Sequence, residues 1–191
     1  MKFVPILRLA VYISLVCVMA SCLRTRPVEP PGGGSSDWVS PTDYQILLDN
    51  FQRSLAERNT QNLLRCLSED SYLFEPVASL FADNESIWRN WARQDERIWF
   101  ENMQAVLDIT SNSLQLTEID LQDVTADSLR YVGNYRLRIT HTDTTLPTLF
   151  LGQIQFNMKV NAFNEWEISR WTDLEVTPDS SWTLLKLRFT Q

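Results

Sequence analysis

The sequence is poor in the residues from which most active sites are assembled. Its 191 residues hold one histidine, three cysteines and five glycines. A single histidine, no cysteine pair and no closely spaced carboxylate cluster leave no ligand set with zinc or calcium spacing, so no metal and no cofactor are expected. Glycine-rich phosphate loops, G-x-S-x-G and H-E-x-x-H do not occur. Basic clusters are missing as well, for 17 Lys and Arg stand against 24 Asp and Glu, a net charge of −7. Only Arg136 and Arg138 sit together on one predicted strand. Such a chain repels a phosphate backbone, which excludes nucleic-acid binding of the usual counterion-releasing kind. No apolar run reaches the ~20 residues that a transmembrane helix needs.

What is present starts with an address. Lys2 and Arg8 precede an apolar stretch from Leu9 to Ala20, the length of a signal-peptide core. Met19-Ala20-Ser21-Cys22 follows at once. This tetrad resembles the lipobox of bacterial lipoproteins, with Met19 in the place usually held by leucine. The resemblance implies cleavage after Ser21, a lipidated Cys22, and attachment to the membrane through its acyl chains. Each buried methylene contributes ~0.8 kcal/mol, so two or three chains anchor where one would not. Leu23 stands where an aspartate would imply retention at the inner membrane, which points to the periplasmic face of the outer membrane. Removing Lys2 and Arg8 with the signal leaves the mature chain at −9.

Residues 22–39 are dense in Pro, Gly and Ser and lack hydrophobic periodicity. They read as a tether that lets a domain stand on the order of 20–30 Å off the bilayer. The segment 40–191 then reads as one packed domain, since 44% hydrophobic and 21% charged residues are globular proportions. Cys66 is left without an intramolecular partner and, inside Leu63-Leu64-Arg65-Cys66-Leu67, is expected to be a small buried hydrophobe.

Within that domain, Ser40-Pro41-Thr42-Asp43 is expected to open a helix, with Ser40 as cap and Pro41 in its first position. Tyr44, Leu47, Leu48, Phe51 and Leu55 form its apolar face, and Asn59 is its expected stop. A short helix carrying Leu63, Leu64 and Leu67 precedes an extended Ser71 to Pro76. A third helix is expected from Asp83-Asn84-Glu85 to about Met103, rich in aromatics. Beyond Ser113 the period becomes two, clearest in Leu129, Tyr131, Tyr135, Leu137 and Ile139 and in Phe150, Ile154, Phe156 and Met158. Leu114 and Leu116 are out of phase with Ile119 and Leu121, which predicts a bulge near Thr117-Glu118. Asn161 to Asn164 is expected to turn a hairpin into Trp166 to Asp173. Helices followed by consecutive strands give an α+β class, with N-terminal helices packed on a curved antiparallel sheet.

This order of elements resembles the nuclear-transport-factor-2-like superfamily, the cone-shaped fold of ketosteroid isomerase and polyketide cyclases. The resemblance spans about Pro41 to Gln191 and rests on Leu67 to Phe74 after paired helices, the tryptophan-rich third helix, and Trp166 to Asp173 as a late strand. Ser181 to Leu187 looks like the closing segment of envelope lipoproteins of this kind. The fold implies a pocket between sheet and helices, which Tyr72, Phe74, Trp88, Trp91, Tyr135 and Phe156 would line. The alternative is that these rings simply fill the cone.

An isomerase-like site would need a carboxylate base and a hydroxyl to hold an enolate oxygen. Asp95, Tyr135 and His141 are the nameable candidates. Asp95 and Glu96 read more simply as a solvated helix face or as ion-pair partners of nearby Arg93 or Arg97, and His141 as a solvated or hydrogen-bonded strand end, so no catalytic residue is assigned. The expected function is therefore non-catalytic: a lipid-anchored envelope domain that binds an apolar small molecule or a protein partner through the cone and its rim. A pocket enzyme and a purely structural envelope component stay open as alternatives. The oligomeric state also stays open, with a dimer compatible with this fold.

Overall fold

A computed structural model describes residues 38–176 and 180–190. The signal segment, the lipobox with Cys22, and the tether up to residue 37 lie outside the described residues. Helix α1 spans Tyr44–Ala56, and its cap is Asp43, whose carboxylate accepts the Gln45 N–H at 2.7 Å. The expected cap, Ser40, is engaged elsewhere. Its hydroxyl donates to Glu165, and the Pro41 carbonyl accepts Trp166 N–H at 2.7 Å, so this stretch is tied to the start of a strand rather than wound into the helix. Asn59 likewise does more than stop α1. After Arg58 turns the chain with φ 58°, the Asn59 side chain caps α2 (Thr60–Arg65) by accepting Asn62 N–H at 3.0 Å.

Strand β1 (Leu73–Glu75) leads to two short helices, α3 (Ala78–Asp83) and α4 (Glu85–Trp88), and then to the long α5 (Arg93–Val106). The single helix expected from Asp83 to Met103 is thus broken. Ala92 is extended (φ −131°, ψ −179°), and Asp95 restarts the helix by accepting Ala92 N–H at 2.8 Å. Alanine carries no capping oxygen, so half of the usual helix-start signal is missing from the sequence.

Four long strands follow: β2 (Ser111–Gln122), β3 (Ser128–Thr140), β4 (Leu149–Val160) and β5 (Trp166–Glu175). The sheet order is β1-β5-β4-β3-β2, with β1 parallel to β5 and the other pairs antiparallel. Pairing between β2 and β3 jumps from Glu118 to Asp120, leaving Ile119 as the extra residue of a bulge beside the predicted position. A second jump leaves Ser169 over in β5. Bulges increase twist and bend the strands that carry them, which curves the sheet.

The inward rows of β3, β4 and β5 face α1, α5 and the closing helix α6 (Trp182–Phe189). Trp91, Trp99, Trp171, Trp182, Phe51 and Phe156 are among its fully buried side chains. Burying a large apolar side chain contributes roughly 1.5–3 kcal/mol, so this aromatic interior dominates the stability of the domain. Two glycines make room for it. A Cβ on Gly133 or Gly152 would lie 2.5 Å from the hydroxyl of Tyr131 or Tyr135 respectively, so both tyrosine rings lie directly on bare backbone.

Candidate functional site

Three charged side chains sit inside this aromatic interior. Glu96 lies on the inner face of α5 with Trp99, Phe100 and Met103, Lys186 on the inner face of α6 with Trp182, Leu185 and Phe189, and Asp173 on the inward row of β5 with Trp171. Glu96 and Lys186 are 0% exposed and Asp173 is 2% exposed.

The Lys186 ammonium donates to Glu96 Oε1 at 2.6 Å. The same oxygen accepts Tyr72 O–H and Trp91 Nε1–H, each at 2.7 Å, and Oε2 accepts Trp99 Nε1–H at 2.6 Å. Aromatic faces complete the surroundings of the ammonium, with Phe74 and Trp171 ring centroids at 3.4 and 3.6 Å. Cation–π attraction is strongest where water is excluded, as here. Burial still pulls the Lys186 pKa down to about 8, against the opposing pull of Glu96 and Asp173. Burial, with Glu96 beside it, pushes the Tyr72 phenol well above its ordinary value.

Asp173 holds α6 onto the sheet. Its Oδ2 accepts both the backbone N–H and the hydroxyl of Thr183 at 2.7 Å, and Oδ1 accepts Tyr135 O–H at 3.2 Å. The Tyr135 oxygen in turn accepts Trp182 N–H at 3.1 Å. Burial raises the Asp173 pKa, opposed by the Thr183 bonds and by Lys186. Chemically, Glu96 accepts four donors, about the number of lone-pair sites that a carboxylate offers, and both Asp173 oxygens are engaged.

The six residues expected to line a pocket all belong to this interior. Tyr72, Trp91 and Tyr135 direct their polar ends into the ionic cluster, Phe74 lies under Lys186, and Phe156 packs edge-on against Phe51 and Trp171. Trp88 packs against Trp91 with ring centroids 4.8 Å apart and planes tilted by 38°. The other named candidates are separate from the cluster. Asp95 caps α5, and His141 is half-buried at the end of β3 with Nε2 3.2 Å from the Pro147 carbonyl. Cys66 is buried and donates to the Asn62 carbonyl at 3.3 Å, with its thiol pKa pushed up by burial.

Sequence reasoning missed Glu96, Asp173 and Lys186, and in Glu96 it mistook a core group for a solvated one. The signal was spacing. Glu96 falls in register with Trp99, Phe100 and Met103, and Lys186 with Trp182, Leu185 and Phe189, so each is a charge on an otherwise apolar helical stripe.

An apolar groove of about 460 Å³ opens at the rim, beside β1, α3 and α4. Phe74 and Trp88 reach it from the interior, and Leu73 and Phe81, 37% and 36% exposed, flank it. Two ion pairs border it: Arg89 with Glu85 at 2.6 Å, and Arg170 with Glu75.

Helices closing a curved five-stranded sheet, with aromatic side chains filling the space between, are the cone-shaped nuclear-transport-factor-2-like, or cystatin-like, fold. Solved structures agree. A candidate aromatic ring hydroxylase from Novosphingobium aromaticivorans superposes with a TM-score of 0.57 at 14% identity, over 75% of this chain and 93% of that one. A hexachlorocyclohexane dehydrochlorinase from Novosphingobium barchaimii gives 0.51 at 13%, over 68% and 81%. A ketosteroid isomerase-like protein from Erwinia carotovora gives 0.50 at 9%, over 70% and 94%. At these identities the likeness is one of fold. No protein-family model matches the sequence, and no curated protein sequence does either.

Proposed function

We propose that this protein is a lipid-anchored envelope protein whose domain binds a small apolar molecule at its rim, without chemistry in the cone. The observation that carries the reading is the groove over Phe74 and Trp88. Its volume falls within the ~300–1,000 Å³ of small-molecule pockets, its walls are apolar, and charged pairs border it. The cone is here occupied by tryptophans and by the Glu96 carboxylate, which already accepts from Trp91 and Trp99.

Fluorescence titration with N-phenyl-1-naphthylamine tests the groove. Saturable binding that Phe81→Asp abolishes and His141→Ala leaves unchanged is expected. Binding indifferent to Phe81→Asp would overturn the reading.

One observation favours an enzyme instead, namely Asp173, with its raised pKa, beside the Tyr135 hydroxyl. Under that reading α6 would have to leave the cone to admit substrate. Hydrogen exchange of the Trp182 and Thr183 amides decides: the binding reading expects them among the slowest in the protein, and fast exchange favours the enzyme.

A further inference from the structure

We infer that the groove between α2 and α5 is a binding site for a small multivalent oxyanion, of the phosphate or pyrophosphate class. It encloses about 510 Å³ and is lined by Arg65, Arg93 and Arg97, with Thr60, Gln61 and Glu101. Three arginines thus line one concavity in a chain where acidic residues outnumber basic ones, 24 to 17. None of the three forms an ion pair among the described residues, and Glu101, one turn beyond Arg97, forms none either.

Two of the guanidinium groups are already held in place. Arg93 donates Nε–H to the Leu64 carbonyl at 3.0 Å, which restrains the group, and its two terminal nitrogens have no hydrogen-bond partner among the described residues. Arg65 lies over the Trp38 ring at 4.1 Å, a cation–π contact that restrains it without using its N–H donors. Arg97 lies one turn after Arg93, and like charges at that spacing repel, so an unoccupied groove is electrostatically unfavourable. α5 also begins at Arg93, and a helix start disfavours cations.

Ordinary solvation of a helix face explains charges that point apart or pair with acids. It does not explain three arginines, two of them tied to protein partners, lining one concavity. Planar forks with fixed orientation are what bidentate recognition of phosphate oxygens requires, and immobilising them beforehand lowers the entropy lost on binding. The site is independent of the apolar groove beside β1, and it stands or falls separately from the function proposed above.

Isothermal titration calorimetry on the full-length protein tests it, with pyrophosphate and inorganic phosphate in one arm and glycerol 3-phosphate, a soluble phosphomonoester analogue of a phosphatidic acid headgroup, in the other. Saturable binding that falls steeply with added salt is expected. Arg97→Ala, which removes a side chain with no ion-pair or hydrogen-bond partner among the described residues, should weaken it about tenfold or more, as loss of a charged hydrogen-bonding group does. Arg93→Lys should weaken it similarly, because lysine keeps the charge and loses the fork. Binding in either arm supports the site, and the tighter arm identifies free phosphate or headgroup as its source. Absence of saturable binding in both arms at low salt, or binding unchanged by Arg97→Ala, overturns it.

Discussion

Lys186 is held on one side by a carboxylate and on the others by aromatic faces, with no exposed surface. Removing one member of a buried pair leaves the other charge uncompensated, which typically costs ~3–5 kcal/mol. Lys186→Met is therefore expected to destabilise the domain by about that much in urea unfolding. Glu96→Gln should also destabilise it, since Tyr72, Trp91 and Trp99 all donate to the carboxylate. The double variant should lose at least about 1 kcal/mol less than the two single losses together, and strict additivity would show that the pair is uncoupled. The pH dependence has a definite sign. Lys186 releases its proton near pH 8 when folded and near 10.5 when unfolded, so between those values the unfolded chain binds more protons. Wild-type stability should accordingly rise relative to Lys186→Met across that window, by up to roughly 1.4 kcal/mol per pH unit, and lose this advantage as pH falls through 8. Cys66, whose raised pKa works in the opposite direction at alkaline pH, is common to both proteins and cancels, and below about pH 9 the Tyr72 phenol stays protonated in folded and unfolded chains alike, so the comparison is read there. A pH-independent difference would refute the assignment.

Between β3 and β4, Gly152 is opposite Tyr135, whose ring occupies the space a side chain would take. Gly152→Ala should push that ring away, weaken its bond to Asp173, and destabilise the fold by the ~1–3 kcal/mol usual for overpacking, with α6 loosened first. Hydrogen exchange at Trp182 and Thr183 reads the second effect, and unchanged protection there would show that Tyr135 does not hold the helix. These long strands are also where the sequence is most legible. β3 and β4 bury one face against helices and leave the other more open, and that asymmetry writes itself as alternation from Leu129 to Ile139 and from Phe150 to Met158. The β2 bulge is legible for the same reason, because an extra residue shifts the phase. Helix boundaries are less so. Asp43 and Ser40 are equally good caps by residue type, and only the competing bond from Ser40 to Glu165, 125 positions away, decides between them. At the α4–α5 break the cap residue is alanine, which leaves only Asp95, half of the usual signal, to read.

For the molecule as a whole, the fold class follows from the order of its elements, whereas the interior does not. A charged residue on an apolar stripe can be a surface residue on a narrow face or a paired core group, and the difference lies in partners distant in sequence. Glu96 and Lys186 are 90 residues apart, and Tyr135 and Asp173 are 38 apart, so neither pair is visible in any local window. The proposed address, by contrast, rests on a local pattern and can be tested without reference to the fold. Under that proposal Met19-Ala20-Ser21-Cys22 after an apolar segment supplies a thiol for acylation, and a chain left at −9 by loss of Lys2 and Arg8 would have little electrostatic attraction for anionic lipid. Membrane association should therefore depend on the acyl chains at Cys22. Cys22→Ser, expressed with an unchanged signal and followed by immunoblotting of separated fractions, is expected to lose the palmitate label and the mobility shift of signal removal. Replacing residues 1–22 with a signal cleaved by the general secretory peptidase should then release the domain into the soluble periplasm. A domain still in the membrane fraction after that exchange would show that a protein surface, and not lipid on Cys22, is what holds it there.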